Sequence, residues 1–209
     1  MARGAESEHD AALITVAAYT GLRLGELRAL RWGDIDWAGA TIRVNRNHPC
    51  HGAEKAPKSG KVRSVPLLDQ AAGPLDVLSR RERFTAPGDL VFADEAGEPL
   101  SPDHARDAFY AALDAAGLGH LRTKPEPIRF HDLRHTFGTI GAGIWPLHDL
   151  QAYMGHAAIQ TTMVTRTMCP RPTRRRRQAR RSRRCSARSP TRWRWLPSPN
   201  GWRRKAFAA

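Results

Sequence analysis

The sequence predicts an α+β fold: a mainly helical body carrying a small antiparallel sheet, followed by a disordered basic tail. Three observations predict it. Stretches with helical spacing of apolar residues and recognisable end signals recur from Asp10 to Met163. Two short alternating segments flank the Gly- and Pro-containing run "HGAEKAPKSG". At Val164 the composition breaks, and not one carboxylate follows up to Ala209. A chain of 209 residues with 41% hydrophobic residues can build one cored domain and an appendage.

The elements follow in order. "HDAALITVAAYTGLRLGELRALRWGDID" reads as helix, interrupted at Thr20-Gly21, with a second helix that sets Leu24, Leu27 and Leu30 on one stripe. Thr41 to Val44 alternates as a strand does, and so does "KVRSVPL", giving a hairpin or small meander. A helix is expected from about Asp69 to Arg83, then a short strand "LVFA". In "SPDHARDAFYAALDAAG", Ser101 is the N-cap, Pro102 the first helical residue and Gly117 the stop. "FHDLRHTFGTIGAG" and "PLHDLQAYMGH" read as two further helices, and "AIQTTM" opens another that is cut off where the arginines begin.

The formal charge of +14 is divided unevenly. Met1 to Met163 holds 18 Lys+Arg against 20 Asp+Glu, a net of −2, while the remainder holds 16 Lys+Arg and no acid, a net of +16. No apolar run reaches the ~18 residues of a membrane span, and "MARGAESEHD" has no apolar signal segment, so a cytoplasmic protein is expected. Cys50, Cys169 and Cys185 form no CxxC pair and predict neither a disulfide framework nor a zinc ribbon.

Four polar groups interrupt the pattern. Arg23 and Glu26 stand one helical turn apart in "TGLRLGEL", and alone would be an ordinary surface ion pair. Lys58 lies in "PKSGKVRSVPL" at the expected hairpin tip, where a solvated lysine is the default and Lys61 is an equal neighbour. His131, Arg134 and His135 share one helix face in "HDLRH", and His156 closes "YMGH". Each is weak alone; the ordered set Arg, Lys, His-x-x-Arg, His is much less expected by chance.

From about Asp10 to Met163 this set resembles the catalytic domain of the tyrosine recombinases, the phage-integrase type of DNA recombinase, most specifically in "TGLRLGEL", "HDLRHTF" and "MGHAAIQTTM". The resemblance implies that Arg23 and Arg134 grip a phosphate, Lys58 is the hairpin lysine, His131 and His156 are the two active-site histidines, and Glu26 supports the first arginine. Lys58 is preferred to Lys61 because it stands eight residues before Pro66. His135 belongs to the motif as packing support. No cofactor and no metal are implied. The partners implied are double-stranded DNA and, in the family, other protomers of a tetrameric synapse; no membrane is involved. The domains implied are a catalytic domain over 1–163, lacking its last helix, and an Arg-rich tail over 164–209. The family's N-terminal DNA-binding domain is expected to be missing, and with it most site specificity.

These residue types suit phosphodiester transesterification. Planar guanidinium forks neutralise the non-bridging oxygens of a pentavalent transition state, a lysine can protonate the leaving 5′ oxygen, and a histidine near neutrality can accept a proton. In the family a tyrosine attacks and stores the bond as a 3′-phosphotyrosine. That tyrosine is expected nine positions after His156, where Thr165 stands. Tyr19, Tyr110 and Tyr153 are not convincing substitutes, and cleavage deficiency is expected.

The genetic code offers a reason. Val164 to Pro170 can be written GTN ACN CGN ACN ATG TGY CCN, and reading two bases later permits Tyr-Thr-His-Tyr-Val-Pro, with a tyrosine at position 165 after one lost base in codon 164. Consecutive CGN codons shifted the same way encode Ala, Ser, Thr or Pro, so a frame-shifted tail is favoured over an evolved nucleic-acid arm. Two alternatives belong to other classes: a non-catalytic nucleic-acid-binding protein acting through the tail, and a zinc hydrolase using His131, His135 and His156, which Arg134 opposes by placing a cation beside the metal.

Overall fold

The computed structural model describes residues 7–156 except 51, 53 and 56–61, together with 192–198 and 201–207. The chain divides into two compact units, Met1–Arg166 and Thr167–Ala209.

The first unit is built around α1 (Glu8–Thr20), an almost wholly apolar helix. Ser7 caps it by accepting from the Asp10 amide at 3.0 Å, and Glu8 and Asp10 place negative charge in the first turn, where the helix dipole favours it. Leu13, Ile14, Val16 and Ala17 are buried, and α1 packs against α3 (Asp69–Leu78) and α5 (Asp132–Gly141). A helix apolar around most of its circumference needs cover on several sides, which is why α1 becomes the centre of the unit. α4 (Pro102–Ala115) also lies against it; Ser101 accepts from the His104 amide at 3.0 Å and Pro102 opens the helix, as the sequence predicts.

After α1 the chain turns at Gly21 into the short α2 (Leu24–Arg28) and a 3₁₀ turn at Trp32–Asp34. The predicted second helix is shorter than expected: Leu27 and Leu30 are both buried, but Leu30 lies beyond the helix end. β1 (Ile35–Asp36), β2 (Thr41–Val44) and β3 (Arg63–Pro66) form an antiparallel sheet in the order β1-β2-β3, with Ile42 opposite Val65 and Val44 opposite Arg63. Alternation selects Ile42, Val44 and Val65 for the core.

Two elements differ from expectation. The helix predicted to reach Arg83 stops at Leu78, because Arg81 instead spends its guanidinium on the carbonyls of Phe84 (2.6 Å), Leu90 (2.6 Å) and Val91 (3.0 Å), which fastens a compact turn. "LVFA" is not a strand. It is held by single bridges, Arg31 to Leu90 and Ala93 to Pro99, and by the Val91 amide bonding Leu30 O at 2.9 Å.

α5 and α6 (Leu147–Met154) are the last described helices of the first unit. The α5 residues Leu133, Arg134, Phe137, Gly138 and Gly141 form one buried stripe, so an arginine lies in phase with core residues. The expected helix at "AIQTTM" lies outside the described residues. In the second unit β4 (Arg192–Ser198) pairs antiparallel with β5 (Gly201–Phe207), Ser198 opposite Gly201. The tail expectation, 164–209, lies outside the described residues except at β4 and β5. Among the described residues no helix is long and apolar enough to cross a membrane.

Candidate active site

The site begins with two helix ends. An α-helix leaves its last carbonyls unpaired and carries partial negative charge there. α1 and α6 both stop at a glycine in the left-handed region, Gly21 at φ 64° and Gly155 at φ 59°. Arg134, from α5, donates through Nη1 to Gly21 O and through Nη2 to Met154 O, so one guanidinium closes both ends. It is only 3% exposed. Burial first, then the nearby Arg23, lowers its pKa to about 9, which leaves it charged at neutral pH.

Arg23 stands just before α2. Its Nη2 donates to Gly155 O at 3.2 Å and its Nη1 to Glu26 Oε1 at 3.0 Å. The two arginines therefore bond consecutive carbonyls, Met154 and Gly155, although they are 111 positions apart in the chain. Arg23 keeps 32% of its side chain exposed, so it is the more accessible of the two.

Glu26 is buried and receives more than the predicted Arg23 pair. Its Oε1 and Oε2 accept from Arg63 Nη1 at 2.8 Å and Nη2 at 2.7 Å, and Oε2 also accepts the Arg23 amide at 2.8 Å. Burial alone would raise its pKa; the Arg63 bonds and charge outweigh this and hold the carboxyl below its ordinary value. Three guanidiniums around one carboxylate leave a surplus of two positive charges, the electrostatics of an anion site.

His156 follows Gly155 directly, and burial together with Arg134, Arg23, His135 and Arg63 lowers its pKa to about 4. Its imidazole is thus neutral at pH 7, able to accept or donate one proton. His131 precedes the first residue of α5 and retains exposed surface, yet partial desolvation, then Arg134 and His135, lower its pKa as well. The His131 and His135 rings meet edge to face, centroids 5.8 Å apart. His135 Nδ1 is buried without a hydrogen-bond partner, and its Nε2 lies 4.0 Å from Asp132 Oδ1.

The structure thus gathers Arg23, Glu26, Arg134 and His156 at the α6 C-terminus, with His131 and His135 on the adjoining end of α5. Lys58, Lys61 and Thr165 lie outside the described residues, as do Cys169 and Cys185. Tyr110 lies under the Arg122 guanidinium, 4.4 Å from its ring centroid, and Tyr153 packs edge-on against Trp145 at 5.4 Å. Cys50 is a free, exposed thiol.

The three histidines of the zinc alternative do not form a group with metal-ligand spacing among the described residues. The His, Asp and His that do, His9, Asp10 and His104, lie at the opposite end of α1, ~18 Å along the helix from Gly21 at 1.5 Å per residue.

Sequence reasoning missed Arg63. Its signal was in "KVRSVPL": on a strand, residues two apart share a face, and Arg63 is in phase with the buried Val65. An arginine on the core side of a strand calls for an acidic partner, and Glu26 supplies it.

The model of the phage integrase family matches residues 1–166. The chain belongs to that family. This integrase-family chain is 31% identical over 171 aligned positions to a tyrosine recombinase XerC of Roseiflexus sp. (strain RS-1), covering 76% of this chain and 47% of that one. It is 32% identical over 169 positions to the XerC of Herpetosiphon aurantiacus, covering 77% and 48%. The integrase-family chain spans about half the length of the curated relatives it matches. Among solved structures, the Tn1549 transposon integrase in complex with a circular intermediate DNA gives a TM-score of 0.64 at 21% identity, over 83% of this chain and 58% of that one. The XerA recombinase gives 0.61 at 22% identity, over 88% and 59%. Both likenesses show the fold: the mostly helical body with its three-stranded sheet is that of the tyrosine recombinase catalytic domain.

Proposed function

We propose that this chain is the catalytic-domain portion of a site-specific DNA recombinase of the phage-integrase type, with its phosphate-binding site formed and its cleavage chemistry incomplete. The observation that carries this is the pair of arginines on consecutive carbonyls beside a neutral imidazole. Arg23 and Arg134 hold the scissile phosphate of double-stranded DNA, and their positive surplus stabilises the transition state more than the ground state. His131 and His156 handle protons around the phosphate, Lys58 protonates the departing 5′ oxygen, and Glu26 and His135 support the set. The reaction needs neither metal nor cofactor. It replaces a phosphorus–oxygen bond to the 5′ carbon side with one to a tyrosine, and reverses when a new 5′ hydroxyl attacks.

Thr165 occupies the nucleophile position. An aliphatic hydroxyl is far less acidic than a phenol and too short to reach in line. The catalytic portion is 1–163 and the tail is 164–209, read as a frame-shifted final segment; the protein works in the cytoplasm, and a second protomer could bring the tyrosine in trans. A reading as a nucleic-acid-binding protein rests on the tail's net +16.

A nicked suicide substrate resolved on a denaturing gel tests this. The chain as written forms no covalent adduct with DNA, whereas restoring the frame from codon 164 and supplying a DNA-binding domain yields one. An adduct from the unaltered chain would place the nucleophile on Tyr19, Tyr110 or Tyr153. No adduct after restoration would overturn the recombinase reading.

A further inference from the structure

We propose that Arg63 is a positioning residue that keeps Glu26 from capturing Arg23, and so leaves Arg23 free to bind phosphate. The inference rests on the phosphate-site reading above and concerns a residue outside the set that reading uses.

Arg63 opens β3, and three of its donors reach two other elements. Nη1 and Nη2 take both oxygens of Glu26 on α2, at 2.8 and 2.7 Å, while Nε takes Tyr153 O near the end of α6 at 2.9 Å. The side chain is 9% exposed and Glu26 is 2% exposed, whereas Arg23 is 32% exposed. The buried arginine therefore satisfies the carboxylate, and the accessible one touches it with a single guanidinium nitrogen besides its backbone amide.

The donor count states the consequence. A guanidinium has five N–H groups in a fixed fork. Arg23 commits one to Glu26 and one to Gly155 O, leaving three. Without Arg63, Glu26 would be a buried carboxylate whose nearest remaining cation is Arg23, and a bidentate pair would be its strongest available arrangement. The fork would turn inward and Arg23 would lose the donors a phosphate needs. Arg63 also fastens β3 to the α6 end, directly after the segment 56–61 that carries Lys58.

The test uses the full chain with isotopically labelled histidine, titrated with inorganic phosphate. The ring signal of His156, assigned by its loss in His156→Gln, reads occupancy at the site and not at the cationic tail. Wild type shows a saturable shift that Arg23→Ala abolishes. Arg63→Met weakens binding about tenfold, Arg63→Lys by less, and Glu26→Gln/Arg63→Met recovers most of the loss, because the competing carboxylate is gone. Neutralising Glu26 would also relieve a merely structural pair, so unfolding midpoints are measured alongside, and affinity lost and regained among variants fully folded at the titration temperature is the readout a structural role would not move.

Wild-type affinity in Arg63→Met, or a double variant no better than the single, overturns the inference. If Arg63→Met does not fold, Arg63→Lys decides: weaker binding supports the inference and unchanged binding overturns it. A wild-type His156 signal that ignores phosphate defeats the phosphate site itself. Arg63 is then judged on arginine-labelled protein by the Arg23 guanidinium signal, assigned by its loss in Arg23→Ala: it must shift in Arg63→Met as the fork turns toward Glu26 and return in the double variant, where no carboxylate competes; failure there overturns it.

Discussion

The C-termini of α1 and α6 look alike in backbone and differ in what covers them. Both end on a left-handed glycine, and both give a terminal carbonyl to Arg134. Over Gly21 lies an aromatic ring: a Cβ there would overlap Cδ1 and Cγ of Phe137. Over Gly155 lies a charged side chain, with Arg63 Cδ, Nε and Cζ at 3.2 to 3.3 Å. One end is closed by the hydrophobic core, which cannot yield without a repacking cost. The other is closed by an ion-pair network, which can give by a few tenths of an ångström. The site therefore has a rigid wall at Gly21 and an electrostatically held rim at Gly155, and the rim carries His156.

Substituting each glycine separates the two. Gly21→Ala combines a left-handed non-glycine residue with a core overlap, about 1–2 and 1–3 kcal/mol respectively, so a loss near 3 kcal/mol is expected. Denaturant unfolding should show a lower midpoint at unchanged slope. A loss below about 1 kcal/mol would mean that Phe137 moves freely and the wall is not rigid.

Gly155→Ala carries the same backbone cost with a milder contact, about 1–2 kcal/mol. Its effect should fall on the rim. The His156 ring signal should move, while the near-ultraviolet circular dichroism of the core aromatics stays as in wild type. Equal losses in the two variants would erase the distinction between wall and rim.

The wall was easier to read than the rim. The Thr20-Gly21 break, the buried stripe of α5 and the capped start of α4 follow from local spacing, because caps and periodicity are written within a few residues. Arg23, Arg134 and His156 were picked out by resemblance, and the structure brings them to one place. The direct partner of Glu26 was not read, because Arg63 is 37 positions away and its pairing depends on strand register, which a hairpin of irregular length does not reveal. Arg81 escaped for the same reason: binding the four loop carbonyls of Arg83, Phe84, Leu90 and Val91 is a tertiary act, and the helical pattern ran on past the true end at Leu78.

The rim should also respond to acid. The folded pKa of His156 is depressed to about 4 from the ordinary 6.5, so the unfolded chain takes up its proton first. Its contribution to stability is complete above pH 6.5, falls as the pH drops toward 4 and is gone below that. Because the ring is only half-buried, solvent screening reduces the full linkage value to about 1 kcal/mol. His9 and His131 are shifted in the same direction, so the decisive quantity is the difference between wild type and His156→Gln across that window. Parallel stability curves for the two would show that His156 titrates normally.

The smallest stability effect is expected from Arg23, the most exposed of the site's three arginines. Arg23→Ala removes one lateral bond to Glu26 and one to Gly155 O, but Glu26 keeps both bonds from Arg63. No buried charge is left unpaired, and the cost should be that of a partly exposed ion pair, about 0.5 kcal/mol. Arg134→Ala is the opposite case: it strands the carbonyls of Gly21 and Met154 at a position 3% exposed, and each unsatisfied buried group costs about 1–3 kcal/mol. The two arginines would then share a ligand while dividing the work, Arg134 holding the helix ends together and Arg23 free to engage what docks there. Unfolding curves measured side by side decide it. An Arg23→Ala loss above about 2 kcal/mol would mean that Glu26 depends on Arg23 after all, and that wall and rim are one structure.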